Sequence, residues 1–210
     1  MVDPRTILIA TTNRGKLLEV QAILADLPVT LVTLEAHPNI PEAIEDADTF
    51  EGNAASKALH YARLTQSWTL ADDSGLVVDA LGGAPGVHSA RYAGPACDAA
   101  ANNAKLIAAL SGVPQEDRTA RFYCAVALAN PAEVLAVVVG VWEGVIIDEA
   151  RGTSGFGYDP HFFVPSIGMT EGMTAAQMSS EQKNSVSHRG QALRAIRLHI
   201  ERLPTTVEPT

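Results

Sequence analysis

Cysteine is scarce: Cys97 and Cys124 are the two in 210 residues, and they form no CxxC pair. Nothing points to a disulfide framework, and two reduced, inert thiols in an intracellular protein are expected. Long apolar runs are lacking too. The longest, VLAVVVGVW from Val134 to Trp142, is too short to span a bilayer, and the opening MVDPRTILIA holds a four-residue apolar run (Ile7 to Ala10) that reads as a strand rather than a leader. A soluble, cytoplasmic protein with no membrane partner is expected. Positive charge is in deficit, with 15 Lys and Arg against 24 Asp and Glu and a net charge of -9. The basic stripe that long nucleic acids need is missing, so no nucleic-acid partner is expected. A small phosphorylated ligand fits better, because a few well-placed cations make a positive pocket even in an acidic protein. His37, His60, His88, His161 and His199 show no metal-ligand spacing such as HExxH, and Ser74 has neither a GxSxG elbow nor a visible base. Neither a zinc site nor a serine nucleophile is expected.

What is present reads as alternating elements. Ile7 to Ala10 predicts a short buried strand, and a helix follows from about Lys16 with Leu17, Val20, Ile23, Leu24 and Leu27 at helical spacing. Val29 to Leu34 predicts a second strand. After an acidic loop, Asp48 and Glu51 read as a capping box that starts a helix reaching about Leu64. Trp68 to Ala71 predicts a strand ending in Asp72-Asp73-Ser74-Gly75, and Asp98 to Leu110 an alanine-rich helix. Arg121 to Ala129 and Val134 to Trp142 read as a hairpin around Asn130-Pro131, and a short FFV strand follows RGTSGFGYDP. Thr174 with Gln177 predicts a helix start. Ser187 is read as the cap of the last helix, whose apolar stripe is Leu193, Ile196, Ile200 and Leu203, and residues 204–210 are expected to fray. No repeat, low-complexity tract or composition break marks a linker. A mixed α/β sheet with helices on both faces, in a single domain over residues 1–210, is the predicted fold.

Five segments could carry chemistry. TTNRGK (Thr11 to Lys16) joins a strand to a helix, where backbone N–H groups and the helix dipole attract phosphate; it lacks P-loop spacing, and a tight turn with a solvated lysine is an equal alternative. In ADDSG, adjacent carboxylates on a strand point to opposite sides, so one faces a cleft. Asp73 beside Ser74 suits magnesium, which takes one or two carboxylates with phosphates and waters, while Asp72 would cap glycine-rich backbone. Among Glu42, Glu45, Asp46 and Asp48, one member turned inward could complete a metal site, although a solvated charge run is the usual case. SGFGYDP offers Phe156 to stack on a base, against the alternative that Phe156 and Tyr158 plug the core. KNSVSHRGQAL brings Ser187, His188 and Arg189 to a helix start.

In succession, TTNRGK, FEGNAASKA, ADDSGLVVDALGGAPGVHSARYAG, SGFGYDPHFFVP and SHRGQAL resemble the Ham1/RdgB family of inosine triphosphate pyrophosphatases (XTP/dITP diphosphatases), from about Ile7 to Leu203. The resemblance implies an elongated mixed sheet flanked by helices in two lobes, with the nucleotide in a cleft between them. It implies hydrolysis of ITP, dITP and XTP to the monophosphate and pyrophosphate with Mg2+, in a homodimer. It places the phosphate loop on Thr11, Thr12, Asn13, Arg14, Gly15 and Lys16, the catalytic general base and metal ligand on Asp73 with Ser74 beside it, and a second metal carboxylate on Glu45. It places the helix lysine on Lys57, the base-binding segment on Phe156, Gly157, Tyr158 and Asp159, and further substrate contacts on Lys183, His188 and Arg189. One departure stands out: the family commonly carries an acidic residue where this chain has Gly52. Two rivals are a Maf-like pyrophosphatase for modified pyrimidine nucleotides, against which SHRG and FGYD argue, and a non-catalytic nucleotide sensor, against which an intact Asp73 argues.

Overall fold

The computed structural model describes residues 5–167 and 170–204, with the side chains of 166–171 left aside. Of the tail expected to fray, residues 205–210 lie outside the described residues. Strand β1 (Arg5–Ile9) runs parallel to β2 (Val29–Thr33) on one side and to β3 (Trp68–Val78) on the other, with Ile9 opposite Thr33 and Leu70. Parallel neighbours need a crossover rather than a tight turn, and helices α1 (Arg14–Ile23) and α2 (Phe50–Thr65) supply the two. Later strands double back instead. β4 (Thr119–Ala129) and β5 (Val134–Ile146) are joined by a turn in which Asn130 N–H donates to Glu133 O at 3.0 Å and Asn130 Oδ1 accepts from Ala132 and Glu133 N–H. β6 (Phe162–Ile167) is antiparallel to β5, and β7 (Thr170–Thr174) to β6. The sheet order is β2-β1-β3-β4-β5-β6-β7, so the fold is mixed α/β as expected. Helices α3 (Ala99–Ala109), α4 (Ser180–Val186) and α5 (His188–Glu201) complete it.

Several elements differ from the sequence reading. β3 does not stop at Ala71; it continues through Asp72 and Asp73 to Val78, so both carboxylates sit in mid-strand. The cap of α2 is Thr49, whose hydroxyl accepts Gly52 N–H at 3.1 Å, one residue later than the Asp48 expected. Asp98 does cap α3, its carboxylate accepting from Ala100 and Ala101 N–H. At Thr174 the capping box forms as read, yet it opens only a three-residue 3-10 turn. Helix α4 starts instead at a second capping box, Ser179 with Gln182. β7 carried no alternation that the sequence reading recognised.

The chain divides into two compact units: Met1–Asp73 with Cys124–Gly140 and Arg189–Thr210, and Ser74–Tyr123 with Val141–His188. The first has a core of Ile7, Ile9, Leu70, Val126 and Leu128 from the sheet, closed by Leu193, Ile196, Ile200 and Leu203. Those four are the predicted stripe of α5, and each such side chain fully buried contributes about 1.5–3 kcal/mol. The second unit is built on Leu76, Leu106, Phe122, Trp142, Tyr158 and Phe162. Among the described residues, no helix is long and apolar enough to cross a membrane.

Candidate active site

In the first unit, β1 delivers the chain into the start of α1. Asn13 caps that helix by accepting Lys16 N–H on Oδ1 at 3.1 Å, and Thr11 Oγ1 accepts Asn13 N–H at 3.2 Å. Thr12, Asn13 and Arg14 are exposed, while Gly15 and Lys16 are half-buried. A capped N-terminus with exposed neighbours suits an anion. The ammonium of Lys16 lies 3.0 Å from Asp72 Oδ2.

Helix α2 contributes two side chains one turn apart, hence on one face. Asn53 Nδ2 donates to Asp73 Oδ2 at 3.0 Å, and Lys57 Nζ donates to the Asp72 carbonyl at 3.1 Å and pairs with Glu45 Oε1 at 2.8 Å. The alternation of β3 sends the neighbouring carboxylates to different partners: Asp73 to Asn53, Asp72 to Lys16 and Arg189. Burial pushes the Asp73 carboxyl above the ordinary carboxylate value, although the Asn53 amide, Lys16 and Lys57 pull the other way. Asp72 is also buried, but Lys16, Arg189 and Lys57 outweigh the desolvation and hold it well below that value. Burial opposes the Lys57 charge, and the carboxylates of Asp72 and Glu45 more than offset it, leaving its ammonium above the usual lysine value. Two adjacent carboxyls thus have environments that drive them apart, one toward accepting a proton and one toward staying ionised.

Asp72 was expected to cap glycine-rich backbone. It is instead the hub of an ion network, with Arg189 Nε and Nη2 each 3.3 Å from its Oδ2 and Arg189 Nη1 on Glu19. Arg189 was expected on the substrate, and the structure sets it 1% exposed among these carboxylates. Glu19 and Asn53 escaped the sequence reading. Asn53 had a local signal, a polar residue one turn before Lys57 on a helix whose other inward positions include Ala54, Ala58 and Tyr61; Glu19, 170 positions from its partner, had none.

Gly52 has a steric reason. A Cβ there would lie 2.9 Å from both Ala47 Cβ and Thr49 Oγ1. The bare helix turn lets the preceding loop lie close, so that Ala47 N–H donates to Asn53 Oδ1 at 2.9 Å and fixes which end of that amide faces Asp73.

The second unit holds an aromatic platform. Asp159 is 2% exposed; its Oδ2 accepts Phe156 N–H at 2.8 Å and pairs with Lys183 Nζ at 2.7 Å. The Lys183 ammonium stands 4.7 Å from the centroid of the Phe156 ring, within cation–π range. Gly155, at φ +75°, keeps the backbone tight over Asp159, where a Cβ would collide with the carboxylate. Gly157, at φ +61°, receives Asn103 Nδ2 on its carbonyl at 3.0 Å. Tyr158 lies in the core and donates its hydroxyl to Ser89 O at 2.7 Å, as the plug alternative had it for this ring. His188 is buried, its ring 4.8 Å from Phe122 and nearly parallel to it. Ser74, half-buried, opens the second unit directly after Asp73.

The arrangement has known counterparts. The Ham1 family profile matches residues 7–199. A dITP/XTP pyrophosphatase of Geobacter sulfurreducens is 52% identical over 194 residues, covering 92% of this chain and 96% of the relative. One from Shouchella clausii is 47% identical over 195 residues, covering 93% and 96%. Among solved structures, a HAM1 protein from Coxiella burnetii superposes with a TM-score of 0.83 at 40% identity, covering 95% of this chain and 100% of that one. With the match running through both units and every motif described above, the chain belongs to the Ham1 family.

Proposed function

We propose that the protein hydrolyses non-standard purine nucleoside triphosphates, such as dITP, ITP and XTP, to the nucleoside monophosphate and pyrophosphate in the cytoplasm. The observation that carries this reading is the buried Asp73, oriented by Asn53, raised above the ordinary carboxylate value and flanked by Lys16, Lys57 and Glu45. A carboxylate that holds a proton more tightly than usual is a better acceptor, so Asp73 takes the proton of the attacking water. Lys16 and Lys57, with the capped start of α1, receive the triphosphate. In the second unit, Phe156 offers its ring to the base, with Lys183 and Asp159 keeping that ring in place.

The donor set also fits magnesium. Asp73 and Glu45 offer hard oxygens only; among the described residues no group of three or more His, Cys, Asp or Glu could hold a metal ion, so phosphate oxygens and waters would have to complete the shell, as magnesium allows. Asp73 and Glu45 would hold it, and the ion when bound would neutralise charge on the phosphates. The test is pyrophosphate release across a panel of triphosphates with and without magnesium. XTP and ITP are expected to turn over, EDTA to abolish the reaction and magnesium to restore it. ATP is expected to be slower by about a hundredfold, since donors that suit a 6-oxo purine meet the 6-amino donor of adenine at roughly 1–3 kcal/mol per unpaired group. Turnover that survives exhaustive chelation, or equal efficiency on ATP and ITP, contradicts the reading. Nucleotide binding without pyrophosphate release would favour a sensor.

A homodimer accords with an apolar row on β5, where Leu135, Val137 and Val139 alternate outward and each stays more than a third exposed. Light scattering should give twice the 22.2 kDa chain mass; a monomer at working concentration would refute it.

A further inference from the structure

We infer that Arg189 is a positioning residue for the phosphate end: its buried guanidinium anchors Asp72, and Asp72 in turn holds the ammonium of Lys16 where a phosphate can take it. The inference rests on the reading of the first unit as the triphosphate end. A single oxygen, Asp72 Oδ2, lies 3.0 Å from Lys16 Nζ and 3.3 Å from Arg189 Nε and Nη2. Nη1 of the same guanidinium meets the carboxylate of Glu19. Side-chain exposure rises along the chain of contacts, from 2% at Arg189 through 5% at Asp72 to 16% at Lys16. Arg189 is thus the buried end and Lys16 the end nearest solvent.

Charge makes the arrangement functional rather than only cohesive. Arg189 is shared between Asp72 and Glu19, and Lys16 meets the same Asp72 oxygen from the other side. Without Arg189, Asp72 loses its buried countercharge, and Lys16 is the ammonium left in contact with its carboxylate. It is then drawn fully onto Asp72, and an incoming polyphosphate meets one more net negative charge. The backbone of Lys16 is already fixed by the Asn13 cap, so the ammonium is the part left to be held. The position of Arg189 also runs against the helix dipole, because a cation in the first turn of α5 is disfavoured there. The carboxylates of Asp72 and Glu19 offset that cost.

The test compares Arg189→Met, Arg189→Lys and Lys16→Met in three measurements: the inhibition constant of inorganic pyrophosphate, the KM for ITP, and the ITP-to-ATP ratio of kcat/KM. Pyrophosphate has no base, so it reports on the phosphate end alone. Arg189→Met should weaken pyrophosphate and raise the KM for ITP by about tenfold or more, the scale of one uncompensated charge at short range. Arg189→Lys, which keeps the charge, should recover most of that loss. Both should leave the ITP-to-ATP ratio within about threefold of the unmutated enzyme, since an interaction lost equally for both substrates cancels. In the Lys16→Met background, Arg189→Met should change pyrophosphate inhibition no further, as expected for groups acting through one another. A collapsed ITP-to-ATP ratio with unchanged pyrophosphate inhibition would show that Arg189 reads the base and overturn the inference. So would lowered thermal stability with all three kinetic readouts intact. Failure of the unmutated protein to hydrolyse any triphosphate would instead strike the functional reading itself.

Discussion

Asp73→Asn should lower turnover by a factor of about 100 or more, the usual scale for a lost general base, and at the same time raise the melting temperature near neutral pH. The first effect follows from the proton acceptor being removed while Asn53, Lys16 and Lys57 stay in place. The second follows from the direction of its shift. Burial raises the Asp73 carboxyl above its unfolded value, so its favourable contribution is complete at pH below that unfolded value and is lost as pH rises through the folded one. At neutral pH the metal-free protein therefore carries an ionised carboxylate in a desolvating place. The asparagine variant avoids that cost, and its advantage should shrink as the pH is lowered. Thermal unfolding in EDTA from pH 4 to 8, beside pyrophosphate release, checks both halves. Near-normal turnover would remove Asp73 from the chemistry, and a lower melting temperature at every pH would remove the desolvation argument.

The opposite sign is expected one residue earlier. Asp72→Asn leaves Lys16 and Arg189 buried against a neutral amide, and breaking a buried ion network on one side costs about 3–5 kcal/mol. For a chain of this length that is a fall in melting temperature of roughly 6–20 °C. The loss of a simple turn cap would cost about 1 kcal/mol, so calorimetry separates the two roles. Because the folded-state value of Asp72 is depressed, its stabilisation is present above the ordinary carboxylate value and is lost as pH falls through the folded one. The gap between the two proteins should therefore persist from pH 5 to 8 and narrow below about 4. A gap near 1 kcal/mol, constant with pH, would return Asp72 to the status of a cap.

Much of this was legible in the sequence because it is local. The capping box at Thr174, the stripe of α5, and the alternation that separates Asp72 from Asp73 are consequences of spacing within a few residues. Glu45 and Lys57 were each named through the resemblance, as a metal carboxylate and a helix lysine, and their ion pair was not foreseen. What the sequence could not carry is partnership at a distance. Glu19 reads as an ordinary helix residue until Arg189 arrives beside it. Conversely Arg189, beside a serine and a histidine at a helix start, carries no local sign of the two carboxylates that meet its guanidinium. The extension of β3 through DDSG was missed for a related reason: two aspartates and a glycine oppose a strand by propensity, and tertiary context overrides it.

The division of the chain has a consequence for its synthesis. The core around Ile7, Ile9 and Leu70 is closed by Leu193, Ile196, Ile200 and Leu203, which are synthesised after every strand of that core. At about 5–20 residues per second, the opening strand and helix wait roughly 10–40 s for the helix that covers them. Through that interval Ile7 and Ile9, fully or almost fully buried in the finished fold, have their strand but not their lid. The second unit, encoded between Ser74 and His188, is therefore complete in sequence before the first, although the first opens the chain.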